Sequence, residues 1–238
     1  MPAYLPFAAI VPIAQPTLPS LPLPILLRST QRIALYHLPP AEAVMPKERL
    51  AAFSDGVIAV IITIMVLEMK VPHRADLAAL AGVAPVFASY VLSFIYVGTY
   101  WNNHHHLLHT CTRVNGVILW ANLHLLFWLS LIPFATGWLG ENHFTQLPTA
   151  LYGVSLLMPA IAYYLLQKAI VAQQGMESPL QRALGSDIKG KISPVLYLTA
   201  IALSFIAPPV AQAIYALVAL MWLVPDRRIE RAVQEEAS

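Results

Sequence analysis

The sequence predicts an all-α, polytopic membrane protein with six transmembrane helices per chain. Three observations carry that expectation. Of 238 residues, 58% are hydrophobic and 11% charged, against about 25% charged in an ordinary soluble domain. Apolar runs of about twenty residues, the length that crosses a bilayer core, recur along the chain. Lys and Arg fall overwhelmingly on one side of the topology that these runs define.

Several function classes are excluded at once. A net charge of +2, without a basic patch interleaved with aromatics, speaks against a nucleic-acid partner. The single cysteine, Cys111, rules out an intramolecular disulfide. No Gly-rich phosphate loop, CxxC pair or HExxH motif occurs, and no cofactor or enzymatic activity is expected.

Residues 1–45 differ from the rest. Nine of them are proline, and the apolar run Tyr4 to Leu27 is interrupted every few positions. Proline inside a helix costs about 3 kcal/mol, so this is no ordinary span. Without a basic n-region it is no signal peptide either. MPKERLAAFSDG, from Met45, reads as a natural start. Residues 1–45 are therefore expected to be a dispensable or wrongly included extension, disordered or loosely membrane-associated. A proline-rich arm with a partner is the alternative.

Residues 46–226 hold the spans, expected at about 50–70, 83–107, 115–136, 149–171, 192–208 and 210–225. Pro85 sits near a helix start, where proline is tolerated. Pro133, Pro159 and Pro208-Pro209 should mark kinks or ends. The last two spans should form a hairpin across that Pro-Pro pair. With the N-terminus inside, the inner segments hold 12 Lys and Arg and the outer loops only Lys70 and Arg74. Both termini are then cytoplasmic, residues 227–238 form a charged cytoplasmic tail, and Gly137 to Pro148 is an external loop.

The first span, RLAAFSDGVIAVIITIMVLEMKV from Arg49, carries the chemistry. Arg49, Ser54 and Asp55 lie at its start, and ionisable groups there face protein or water rather than lipid. At about 100° per residue, Val57, Val60, Ile64 and Leu67 form one narrow apolar stripe, with Thr63 at its edge and Asp55 opposite. A buried carboxylate needs donors. The best candidates for Asp55 lie in WNNHHHLLH, residues 101–109 of the second span, where Trp101 with His105 and Asn102 with His106 are spaced four apart.

Arg49, Phe53, Ser54, Asp55 and Gly56 spell R-x-x-x-F-S-D-G, followed by V-I-A-V-I-I-T-I-M-V-L-E. This resembles the first helix of the transmembrane protein 175 family, endosomal and lysosomal potassium channels with bacterial relatives. The resemblance extends less sharply from about Lys47 to the end. It implies a buried hydrogen-bond network of Arg49, Phe53, Ser54 and Asp55 with Trp101 and one or two of His104, His105 and His106. It also implies that first helices surround the conduction path and that their aliphatic rings narrow it. Those positions are Val60, Ile64 and Leu67, with Thr63 beside them. Val60 is smaller than the isoleucine or leucine expected there, which implies a wider ring. One six-span repeat cannot enclose a pore, so the implied assembly is a homotetramer around a central axis.

The histidines admit other readings. His104, His105, His106, His109 and His124 could offer imidazoles to a metal, with Asp55 as a carboxylate. Adjacent histidines on a helix point about 100° apart, so only pairs such as His105 and His109 converge. No metal site is expected; pH sensing through these imidazoles is a further alternative. The sequence reading is thus a potassium-permeable cation channel in the bacterial plasma membrane, partnered by itself, the lipid bilayer and potassium ions, with an aliphatic constriction in its first helix. The alternative is a proton- or ion-coupled carrier using Asp55 and His104 to His106. A haem protein is a third class, and it lacks a supporting motif.

Overall fold

A computed structural model of the chain describes residues 45–175, 181 and 188–223. The described residues all belong to the unit Val44–Ser238. The proline-rich extension and the charged tail expected at 1–45 and 227–238 lie outside them, apart from Met45.

The described residues form eight helices: α1 Lys47–Leu67, α2 Leu77–Gly82, α3 Ala84–Thr110, α4 Gly116–Ser130, α5 Ile132–Glu141, α6 Gln146–Gln174, α7 Ile188–Ser204 and α8 Pro208–Leu223. Their ends follow local chemistry. Asp76 caps α2 by accepting the Ala79 N–H at 2.8 Å, and Asn115 caps α4 by accepting that of Ile118 at 2.9 Å. Pro85 falls in the first turn of α3, where its missing N–H costs nothing.

The third expected span is two helices. Pro133 has no N–H to return to the preceding turn, and the helix is interrupted at Leu131 between α4 and α5. The external loop expected from Gly137 to Pro148 is corrected: α5 runs on to Glu141 and α6 begins at Gln146. The reversal takes four residues, two of which, His143 and Phe144, adopt φ of 50° and 58°. A left-handed pair turns the chain so tightly that no longer loop is needed. Pro159 does not end α6, which continues across it. Pro208-Pro209 opens α8, and α7 packs against α8 as the expected hairpin.

Among the described residues, three helical runs are long and apolar enough to cross a membrane: Lys47–Leu67, Gly116–Glu141 and Gln146–Gln174. Pro208–Leu223 is apolar but shorter. Its 16 residues rise about 24 Å.

Two cores hold the helices. One joins α1, α3, α4 and α6 through aliphatic side chains such as Leu50, Ile58, Met65, Leu125 and Leu166. The other, between α3, α5, α6, α7 and α8, is rich in tyrosine: Tyr96, Tyr152, Tyr197 and Tyr215. Its hydroxyls are satisfied across helices. Tyr96 donates to the Tyr215 carbonyl at 2.6 Å, and Ser93 lies 2.9 Å from Tyr152 Oη and 2.6 Å from Thr136 Oγ1. In an apolar surround such bonds are each worth roughly 0.5–2 kcal/mol and fix the register of neighbouring helices.

Candidate functional site

The helix α1 presents three surfaces. Leu50, Ser54, Ile58, Ile61 and Met65 are buried; steps of three and four residues keep them within about a quarter-turn. About 100° round lies the stripe. Phe53, Val60, Ile64 and Leu67 are exposed there by 51%, 54%, 39% and 79%, while Val57 is half-buried at its margin. Thr63, also exposed, donates its hydroxyl hydrogen to the Val60 carbonyl at 2.9 Å. Its outward-facing capacity is therefore that of a lone-pair acceptor. Asp55, half-buried on the third surface, looks toward α3.

Two sets of hydrogen bonds hold this azimuth. Ser54 gives its only hydroxyl hydrogen to the Leu50 carbonyl at 2.9 Å, so its oxygen accepts from Asn122 Nδ2 at 2.9 Å. The Asn122 amide oxygen then meets His104 Nε2 at 2.6 Å. That donor order makes Nε2 the protonated nitrogen of His104. His104 Nδ1 is left buried without a partner. Alongside, Trp101 Nε1 donates to Asp55 Oδ1 at 3.0 Å. Three helices, α1, α3 and α4, are thereby pinned at one level.

Of the expected network, the structure brings together Ser54, Asp55, Trp101 and His104. Arg49 and Phe53 are corrected: both are exposed, on the stripe side of α1, because their azimuth is that of Ile64 and not of Ser54. His105 is exposed, its ring centroid 6.1 Å from that of Trp101 and 4.4 Å from that of His109, while His106 lies 5.6 Å from His105. His124 Nε2 accepts from Trp128 Nε1 at 2.8 Å within α4. Among the described residues no group of three His, Cys, Asp or Glu could hold a metal ion.

Asn122 is the member that sequence reasoning missed. Its signal was an amide in the middle of a largely apolar span, a group that hydrocarbon tolerates only when bonded. Asn122→Leu should destabilise the protein by about 1–3 kcal/mol, since His104 Nε2–H loses its acceptor. Thermal unfolding in detergent measures this. In combination with His104→Leu the losses should be less than additive.

Between the α1 stripe and α5 runs a groove of about 940 Å³, with Phe53, Val60 and Ile64 on one wall, Phe134 and Trp138 on the other, and Glu68 and Glu141 also lining it. Glu141 accepts from Lys70 Nζ at 2.7 Å.

The chain is 56% identical over 191 residues to a potassium channel of Chryseobacterium sp. (strain P1-3), covering 80% of this chain and 100% of that one. A family model described as endosomal/lysosomal potassium channel TMEM175 matches residues 49–133. The chain belongs to the TMEM175 family. Membership places it among membrane ion channels and not among enzymes. A potassium channel of Streptomyces collinus (strain DSM 40733 / Tue 365) is 29% identical over 188 residues, covering 73% of this chain and 90% of that relative. The crystal structure of a lysosomal potassium-selective channel TMEM175 homolog from Chamaesiphon minutus matches with a TM-score of 0.66 at 27% identity, covering 76% of this chain and 97% of that one. In this TMEM175-family chain the stretch matched by the family model contains both the α1 stripe and the whole Ser54–Asn122–His104 network.

Proposed function

We propose that this chain forms a potassium-permeable cation channel as a homotetramer, with four α1 helices around the axis. Each chain contributes six spans, formed by α1, α3, α4 with α5, α6, α7 and α8. Both termini lie on the cytoplasmic side of the bacterial plasma membrane. The carrying observation is the azimuthal split of α1: one face is packed and pinned within the protomer, while Val60, Ile64 and Leu67 face outward. Four copies of that stripe make stacked aliphatic rings, which gate by excluding water and select by the hydration an ion must shed. Thr63 suits a cation, because its hydroxyl hydrogen is already committed to Val60. The groove against α5 supplies a surface for the neighbouring copy. Potassium as permeant is carried over from the names of the relatives.

A coupled carrier is less well supported. Asp55 is held by Trp101 and His104 by Asn122, so the carboxylate and the imidazole do not form a proton-sharing pair.

The test is reconstitution of the purified full chain in liposomes, with tetramer mass checked by native mass spectrometry. Wild type should dissipate a potassium gradient without saturation. Leu67→Asn should change the potassium-to-sodium ratio, whereas Val195→Asn, exposed on α7, should not. Absent wild-type flux, or saturable coupled flux, would move the carrier reading to the front.

A further inference from the structure

The carboxylate of Glu68 sits where local structure disfavours it. Glu68 is the C-cap of α1, and the last turn of that helix holds no basic residue. A helix C-terminus carries the negative end of the macrodipole and favours a cation there. Glu68 is exposed and makes no hydrogen bond or ion pair to another described residue. Its charge therefore works against the helix that carries it.

The surroundings give that charge a direction. Glu68 follows Leu67, the last residue of the stripe, and turns about 100° from it, into the groove that Glu141 also lines. Glu141 is engaged, accepting from Lys70 Nζ at 2.7 Å. Lys70 is within electrostatic reach of Glu68, but its hydrogen bond goes to Glu141. In the same connection Arg74 pairs with Asp76. The segments 68–83, 141–145 and 205–207, which link the helices at this end, are all described. Their charged side chains are Glu68 and these two pairs, with His73 and His143 beside them. The pairs cancel, and one formal negative charge per chain remains, on Glu68.

We propose that Glu68 concentrates cations at the outer mouth of the pore, with Lys70 and Glu141 setting how much of its field remains. The inference rests on the α1 stripe being the pore wall. With first helices packed about 8–10 Å apart, four Glu68 carboxylates stand on the order of 10 Å from the axis, just beyond the Leu67 ring. They are not a binding site. A ring of like charge raises the local concentration of potassium through its field, and salt screens that field. The constriction decides which ion passes; the ring decides how often one arrives.

The test is single-channel recording of the full chain in planar bilayers, in about 10 mM and about 1 M potassium chloride, where charges are felt over about 30 Å and about 3 Å. Glu68→Gln should lower potassium conductance about threefold or more in the dilute salt and leave it near wild type in the concentrated one. Glu68→Asp should keep wild-type conductance in both. Lys70→Gln, which releases Glu141, should raise the low-salt conductance about twofold. Glu141→Gln, which frees Lys70 to face Glu68, should lower it. Opposite signs from neighbouring substitutions separate a field from a folding effect. Wild-type conductance of Glu68→Gln in dilute salt overturns the proposal, and so does a loss that persists at 1 M. A wild type without current removes the pore itself, and the ring with it. A selectivity that Leu67→Asn changes, beside a Glu68→Gln that does nothing, leaves the pore standing and overturns the ring alone.

Discussion

Ile64→Asn should raise potassium flux through reconstituted channels by about tenfold or more and bring sodium permeation toward that of potassium. In the proposed tetramer, four isoleucines on the axis would form a ring that water leaves readily, and an ion crossing it would shed hydration without compensation. Four asparagines supply carbonyl and amide groups that hold water there. A barrier lowered by about 1.4 kcal/mol already gives a factor of ten. The substitution also tests the alternative placement of the stripe. Ile64 is 39% exposed on the protomer surface, so the protomer core is not disturbed. If that surface met lipid, the amide would cost stability in the membrane and leave flux unchanged. Flux and thermal stability of the same preparation therefore separate a pore position from a lipid-facing one.

Gly140→Ala should lower stability sharply, by roughly 1–3 kcal/mol or more, through overpacking. A β-carbon there would stand 2.6 Å from the Val86 backbone Cα and 2.6 Å from Ser89 Oγ. Side chains can rotate away from such a contact; a backbone atom cannot, so α5 would have to separate from α3. That displacement would also part Ser89 Oγ from the Thr136 carbonyl, now 3.1 Å away. Gly98→Ala is the control within α3, since a β-carbon there meets nothing within 4 Å. It should be neutral or slightly stabilising, because alanine favours a helix over glycine by up to about 1 kcal/mol. Thermal unfolding of both variants measures the contrast; equal midpoints would mean that α5 and α3 do not approach closely at Gly140.

The glycines show why part of the fold was not legible. Gly98 and Gly140 read alike in sequence, small residues in apolar helices, and only the distance between α3 and α5 distinguishes them. Asn122 was similar: its polarity could be read, but its partners Ser54 and His104 come from helices 68 and 18 positions away. The break at Leu131 was signalled by Pro133, yet the run to Glu141 was not, because a charge-poor stretch reads equally as external loop or as helix.

The sequence by itself determined the helical class, the positions of most of the described helices to within a few residues, and the family, through R-x-x-x-F-S-D-G and the apolar run behind it. Those are local properties: hydropathy, proline placement and a contiguous motif. Tertiary structure decided the azimuth of α1, hence that Ser54 is pinned to Asn122 while Arg49 and Phe53 turn outward with Val60, Ile64 and Leu67. In a membrane helix every face is apolar, and lipid is as apolar as a protein core. Hydrophobic periodicity therefore cannot say which face is packed; interhelical hydrogen bonds and close-packed side chains can.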